Sequence, residues 1–279
     1  MSARAQQRLR HTGSYLVLTV ATIIALFPIL WTMSTSLKQI VDALSIPPKF
    51  VGFHPTLHNY SRLFHTPGFG TAYVTTLEVT LGSALVTVVV GSLAAYPIAR
   101  RWRFLGRRPL EASLVIIRAI PPIVLMVPLF NLVINHGFYD EPLTLIVVYA
   151  AFNLPFAVWM MVSFIQQIPY ELEESGEVDG ASRLRILFHL VLPLAAPGLA
   201  ATTILISLIA WNEFLIPLVL AGNRTRTLPL LISTFVQSRT IDWGVMTAGA
   251  TITILPIAIL TVLAQRSLVS GLGLGAVKE

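Results

Sequence analysis

The chain has 279 residues, of which 55 % are hydrophobic and only 11 % charged, far below the roughly 25 % charged residues of a soluble globular protein. Its formal net charge of +6 is too small an excess, on so apolar a body, to make a nucleic-acid-binding face. The absence of cysteine excludes disulfide scaffolds, thiolate metal sites and cysteine nucleophiles.

A spanning helix needs about 20 mostly apolar residues to cross the hydrocarbon layer. Six charge-free windows meet that length: 11–37, 79–99, 119–139, 142–170, 186–212 and 243–265. Uninterrupted apolar stretches of this kind satisfy their own backbone as helices, and lack the alternating pattern of a membrane barrel. The expected fold class is therefore all-α, a polytopic membrane protein with six transmembrane helices.

The first window follows Arg4, Arg8 and Arg10, and its apolar stretch of residues 14–36 exceeds the roughly 7 to 15 residues of a signal peptide, so a retained span is expected. A proline-rich segment, 38–70, comes next. Within it Leu57–Phe64 reads as a short amphipathic helix, and His54, His58 and His65 lack the spacing of a metal site. The second span carries Glu78 near its outer end and is followed by the basic run Arg100–Arg108. The third holds Arg118, Pro121-Pro122 and Pro128, the fourth Asn153 beside Pro155, and the fifth Trp211, Asn212 and Glu213 followed by Pro217. Between the fifth and sixth spans, 221–243 contains an apolar stretch, 228–236, able to dip back toward the membrane. With the N-terminus inside, the inner segments carry twice as many Lys and Arg as the outer ones, which places both termini in the cytoplasm. The expected parts are an N-terminal tail, first helix and outer segment (1–70), a five-helix core (71–268) with a cytoplasmic loop at about 165–193, and a tail (269–279).

That loop concentrates charge in a chain that otherwise avoids it. Pro169 suits a helix start, and acidic residues from Glu171 to Glu177 fill the first turns, where the helix dipole favours them. Asp179-Gly180 then breaks the helix into a turn. A second helix follows, with Leu184, Leu187 and Phe188 at helical spacing and Arg183 and Arg185 off that stripe. The residues alone allow two readings: a helix-turn-helix lying beside the inner face, or a solvated interhelical loop.

The run Glu174-Ser175-Gly176-x-x-Asp179-Gly180-Ala181, continuing to His189 and then Leu190-x-Leu192-Pro193, resembles the Glu-Ala-Ala loop of importer permeases in the ATP-binding cassette superfamily. It departs from the usual form in Ser175 and Gly176, which replace two alanines, and in Leu190, which replaces isoleucine. Asn59-Tyr60, Ala210-Trp211-Asn212-Glu213-Phe214 and Gly271-Leu272-x-x-Gly275-Ala276-Val277-Lys278 extend the resemblance to the carbohydrate-uptake branch, specifically the shorter, maltose-type second permease. The resemblance implies a type I importer permease fold in the cytoplasmic membrane of a prokaryote. It also implies a homologous second permease subunit, two copies of an ATP-binding subunit, an extracytoplasmic solute-binding protein and a sugar substrate. Glu174, Asp179, Gly180, Ala181, Leu192 and Pro193 would then couple to the ATPase. In that role Gly180 permits the tight turn, Asp179 caps the following helix and Glu174 makes a polar contact.

No phosphate-binding Gly-x-x-x-x-Gly-Lys-Ser/Thr run, His-Glu-x-x-His site or Gly-x-Ser-x-Gly elbow occurs, so no catalysis, metal or cofactor is assigned to this chain; ATP and Mg belong to the implied partner. The expected transport path lies where spans are interrupted and polar, at Asn153, Trp211, Asn212 and Glu213, although kinks and interhelical hydrogen bonds account for the same residues. The rival class is an ion-coupled secondary transporter with a relay of Glu78, Glu213 and Arg118.

Overall fold

The computed structural model describes residues 3–101, 113, 116–236 and 241–276, with side chains for 13–100, 113, 116–236 and 241–262. Most of the basic run after Arg100, the side chains of Arg4, Arg8 and Arg10, and those of the glycine-rich C-terminal motif lie outside the described part. Among the described residues the structure is helical, with one isolated bridge between Val236 and Ile241.

Four helices are long and apolar enough to cross a membrane: Gly13–Ser36, Phe69–Arg100, Pro142–Ile165 and Trp243–Val262. They correspond to the first, second, fourth and sixth windows. The second helix starts ten residues before its window, because a single exposed carboxylate at Glu78 interrupts the charge-free run but not the helix. The third window is not one helix. Residues 116–119 are helical, the backbone turns out at Ile120-Pro121, and a separate helix, Pro122–Asn135, begins with proline at its first position, where the missing N–H costs nothing. The fifth window is broken as well: Arg183–Leu194 and Ala196–Trp211 meet at Ala195 with a bend of 78°. Residues 186–194 thus belong to a segment lying across the end of the bundle.

The chain divides into two compact units, 1–69 with 232–255 and 70–231 with 256–279. In the first, α1 (Ala3–Ser36) is followed by the short α2 (Ile40–Ala43) and by α3 (His58–Phe64), the amphipathic helix expected from sequence. Asn59 on α3 is buried and donates from Nδ2 to the carbonyls of Ser36 (2.9 Å) and Lys38 (2.8 Å), supplying partners at the end of α1 where helical donors run out. Lys38 is 1 % exposed, with its ammonium 4.1 Å from the Trp31 ring centroid and 5.1 Å from that of Phe53. Burial lowers its pKa from the ordinary lysine value, against the opposing charge of Asp42. Arg62 and Asp242 form an ion pair at 2.5 Å.

The second unit is built on α4 (Phe69–Arg101), α5 (Pro122–Asn135), α6 (Pro142–Ile165) and α10 (Ala196–Trp211). Small residues set the approach of α4 to α6: a Cβ at Gly91 would stand 2.8 Å from that of Ala157, so only glycine permits this contact. Ala84, Ala157 and Ile206 form a small central cluster, with larger clusters toward each end of α6. One joins Ala95 and Ala99 of α4 to Met161, Val162 and Ile165 of α6 and to Ile186, Leu187 and Val191. The other joins Val79, Met126, Val133, Leu145, Val148, Tyr149, Ile216 and Leu220. Both leave the polar loops at the helix ends.

Candidate functional site

After α6 the chain turns through 166–170 into α7 (Glu171–Val178), turns again at 179–182, and continues as α8 (Arg183–Ile186), a π-helical turn (Leu187–Val191) and α9 (Leu192–Leu194) before the bend into α10. This is the helix-turn-helix expected from the sequence. Gly180 has φ +79, a left-handed conformation that glycine adopts without strain. The capping assignment needs correction. Ser182, not Asp179, is the N-cap of α8, its hydroxyl accepting the Arg185 N–H at 3.4 Å, while Asp179 closes the C-terminal end of α7. The π turn opens the helix immediately before the bend, and Leu192 and Pro193 lie on that bend, Leu192 packed on the core and Pro193 exposed.

The two faces of this segment differ sharply. Ile186 and Leu187 are buried in the cluster with α4 and α6, whereas Val178 is 87 %, Leu184 64 % and Phe188 52 % exposed. The expected apolar stripe therefore splits: Leu187 packs inward, and Leu184 and Phe188 face away from the core. Glu174 and Asp179 are exposed beside them, and Ala181 is half-buried against the cluster.

The carboxylate that anchors the segment is one the sequence did not single out. Glu173 is 2 % exposed; its Oε1 accepts from Arg100 Nε at 2.6 Å and its Oε2 from the Tyr96 hydroxyl at 2.9 Å. Arg100 also donates from Nη2 to the Ile168 carbonyl at 3.1 Å, and its guanidinium carbon lies 5.9 Å from the Tyr170 ring centroid. A motif reading cannot find this pair, because its members are 73 residues apart; the one signal available was an arginine at the end of a span, facing an acidic helix.

At the other end of α6, about 36 Å away for 24 helical residues, a second carboxylate closes a loop. Asp140 has φ +59 and accepts the backbone N–H groups of Gly222 (2.8 Å), Thr225 (2.9 Å) and Arg224 (3.1 Å), together with the Thr225 hydroxyl (2.7 Å). Burial would raise its pKa, but these four hydrogen bonds outweigh it and hold the carboxyl below the ordinary aspartate value. Arg224 turns its side chain to Glu141, at 2.8 Å. The apolar stretch beyond, expected to dip inward, contains α12 (Leu228–Ser233) with Leu228 and Leu231 buried.

Between the two ends, a cavity of about 350 Å³ is lined by Arg118, Pro122, Tyr149, Asn153, Ile209 and Glu213 among others. It brings together two of the four expected path residues. Asn153 donates from Nδ2 to the Tyr149 carbonyl at 2.9 Å, and Glu213 Oε1 accepts the N–H groups of Leu215 (2.8 Å) and Ile216 (3.2 Å), capping α11 (Leu215–Leu220). Trp211 is buried edge-on against Tyr73 at 6.0 Å, and Asn212 is exposed with Nδ2 on the Leu208 carbonyl; neither is on the cavity wall. Arg118 stands over the Phe156 ring at 4.3 Å. Of the rival relay, Arg118 and Glu213 share the cavity and Glu78 does not.

Comparison with known proteins accords with this geometry. Residues 87–273 match the family described as the inner membrane component of binding-protein-dependent transport systems. The inner membrane ABC transporter permease protein YcjP of Escherichia coli is 33 % identical, covering 99 % of both chains. The trehalose transport system permease protein SugB of Mycobacterium tuberculosis is 35 % identical, over 91 % of this chain and 93 % of its own. A chain of a bacterial ABC transporter involved in the import of the acidic polysaccharide alginate has the same fold, with a TM-score of 0.75 at 22 % identity, over 95 % of this chain and 98 % of that one. The helical architecture, the broken fifth span and these matches lead to one assignment: the chain is a multi-pass membrane permease belonging to the family of inner-membrane components of binding-protein-dependent transport systems.

Proposed function

We propose that this chain is the sugar-translocating permease of an ATP-driven importer, paired with a homologous permease, two copies of an ATP-binding subunit and an extracytoplasmic solute receptor. Both termini and the 166–193 segment face the cytoplasm of a prokaryotic cell. ATP and Mg bind to the ATPase subunits, and this chain performs no hydrolysis.

The observation that carries this reading is the division of the 171–188 segment into a buried face and an exposed one. Glu173, Ile186 and Leu187 tie it to the bundle, while Val178, Leu184 and Phe188 are exposed, as are Glu174 and Asp179. Exposed apolar side chains together with acidic ones on one segment suit a surface that another protein covers. Gly180 permits the turn between α7 and α8, and the turn is closed by the Gly180 and Ala181 N–H groups on the Glu177 and Gly176 carbonyls, so the segment is a stiff arm rooted in α6 and α10. Closure of the ATPase pair around it would turn the bundle, as alternating access requires. The sugar assignment is supported by the trehalose relative and by the cavity, whose polar members Asn153 and Glu213 can hydrogen-bond hydroxyls and whose partly exposed Phe152 ring can stack on a sugar face.

The test is uptake of radiolabelled sugars into vesicles carrying the complete transporter. Uptake is expected to stop when ATP is removed and to persist when the proton gradient is collapsed. Alanine at Asn153 and Glu213 together is expected to weaken substrate-stimulated hydrolysis. Uptake that follows the proton gradient and ignores ATP would refute the proposal.

A further inference from the structure

We propose that Glu173 is a positioning residue for transport: with Arg100 and Tyr96 it forms the joint through which movement of α7 reaches the end of α4. The inference rests on the reading of α7 as an arm gripped by an ATPase and extends it to a third helix. In the chain, α7 is connected only to α6 through 166–170 and to α8 through 179–182, and neither connection is part of α4. The link to α4 is made by side chains.

Among the described residues Glu173 is the only buried carboxylate. Its two oxygens are held by two donors one helical turn apart on α4, Tyr96 Oη and Arg100 Nε. Two bonds to one rigid helix prevent the carboxylate from pivoting about either, so the first turn of α7 and the last turn of α4 are fixed as one body. Arg100 adds a third point by donating to the Ile168 carbonyl in the connection leaving α6. One guanidinium thus clasps the segment on both sides of Pro169. Below it, Ala95 and Ala99 share a packed cluster with Ile186 and Leu187, so α8 bears on α4 as well. A buried ion pair is seldom the most stable way to fill a site; what this one supplies that aliphatic side chains would not is a single fixed register between two helices.

The measurement uses the complete transporter in lipid vesicles, with ATP hydrolysed and solute imported read in the same sample. Glu173→Gln keeps the size of the side chain and removes its charge; Tyr96→Phe removes one hydroxyl and keeps the ring. The ATPase is expected to stay attached in both variants. Solute moved per ATP is expected to fall about fivefold in Glu173→Gln and about threefold in Tyr96→Phe, within the range for residues that carry coupling without touching a ligand. A residue that only stabilised the fold would lower the yield of complex and leave that ratio unchanged. If Glu173→Gln does not assemble, Tyr96→Phe decides: a lowered ratio supports the joint, and an unchanged one overturns it. A wild-type transporter that is not ATP-coupled overturns this inference and the proposed function together, whereas a coupled wild type whose ratio survives both substitutions overturns the joint alone.

Discussion

Glu173 and Asp140 stand beyond opposite ends of α6, and each ties its loop to a segment more than 70 residues away. Their donors differ in kind. Asp140 is filled by three backbone N–H groups and one hydroxyl, with no cation on it; Glu173 is filled by a guanidinium and a phenol at the ends of long side chains. Backbone donors fix a shape, since the 222–225 loop cannot leave Asp140 without unfolding its own turn. Side-chain donors fix a relation between two helices while leaving each helix intact. The first arrangement suits a loop whose conformation matters, and the second suits a joint that must transmit force.

Substitutions at the two ends should separate these roles. The largest effect is expected from Arg100→Ala, which leaves the Glu173 carboxylate buried without its counter-ion at a cost of about 3–5 kcal/mol. Thermal unfolding of the purified complex measures it. Asp140→Ala should cost less, about 2 kcal/mol, because water can reach the partly buried loop and replace some of the lost bonds. Equal losses at the two sites would mean that the two carboxylates hold their segments in the same way.

The Asp140 loop should also be the acid-sensitive one. Its folded pKa lies below the unfolded value of about 3.9, so its contribution is complete above that pH and is lost as pH falls through the folded pKa. The stability gap between wild type and Asp140→Asn should hold steady above about pH 5 and narrow in stronger acid. A gap that widens in acid would contradict the assigned hydrogen bonds.

Smaller effects belong to the turn of the arm. Gly180→Ala meets no atom within 4 Å, so its cost is the backbone penalty of a left-handed alanine, about 1–2 kcal/mol, visible as weaker retention of the ATPase on purification. Ser182→Ala removes a cap whose hydrogen bond is already long, 3.4 Å, and should cost about 0.5 kcal/mol in the same measurement.

The arm itself was legible in the sequence because its determinants are local: acidic residues in a first helical turn, then Asp-Gly, then an apolar run. Its attachment was not. Glu173 and Glu174 are equivalent in composition, and only the packing of α4 sends one into the core and leaves the other in solvent. The cap moved from Asp179 to Ser182 because both residue types can cap, and the start of α8 decides between them. Charge-free windows located four of the six expected spans as single long helices, missed the breaks in the third and fifth, and treated Glu78 as an end, although one exposed carboxylate does not stop a helix. The three consecutive residues Trp211, Asn212 and Glu213 looked like one site with Asn153, yet the end of α10 turns Trp211 into the core and Asn212 outward, leaving Glu213 to face the cavity with Asn153. The Asp140 loop had no signature except that aspartate tolerates positive φ better than most residues.

The central claim is that the exposed face of the 171–188 segment is gripped by a nucleotide-hydrolysing subunit. A photo-crosslinking residue placed at Val178, the most exposed apolar side chain of that segment, tests it in the assembled, transport-active complex. The account predicts a crosslink to the ATP-binding subunit whose yield changes between nucleotide-free and ATP-bound states; crosslinks that reach only lipid, in a preparation that transports normally, would contradict it.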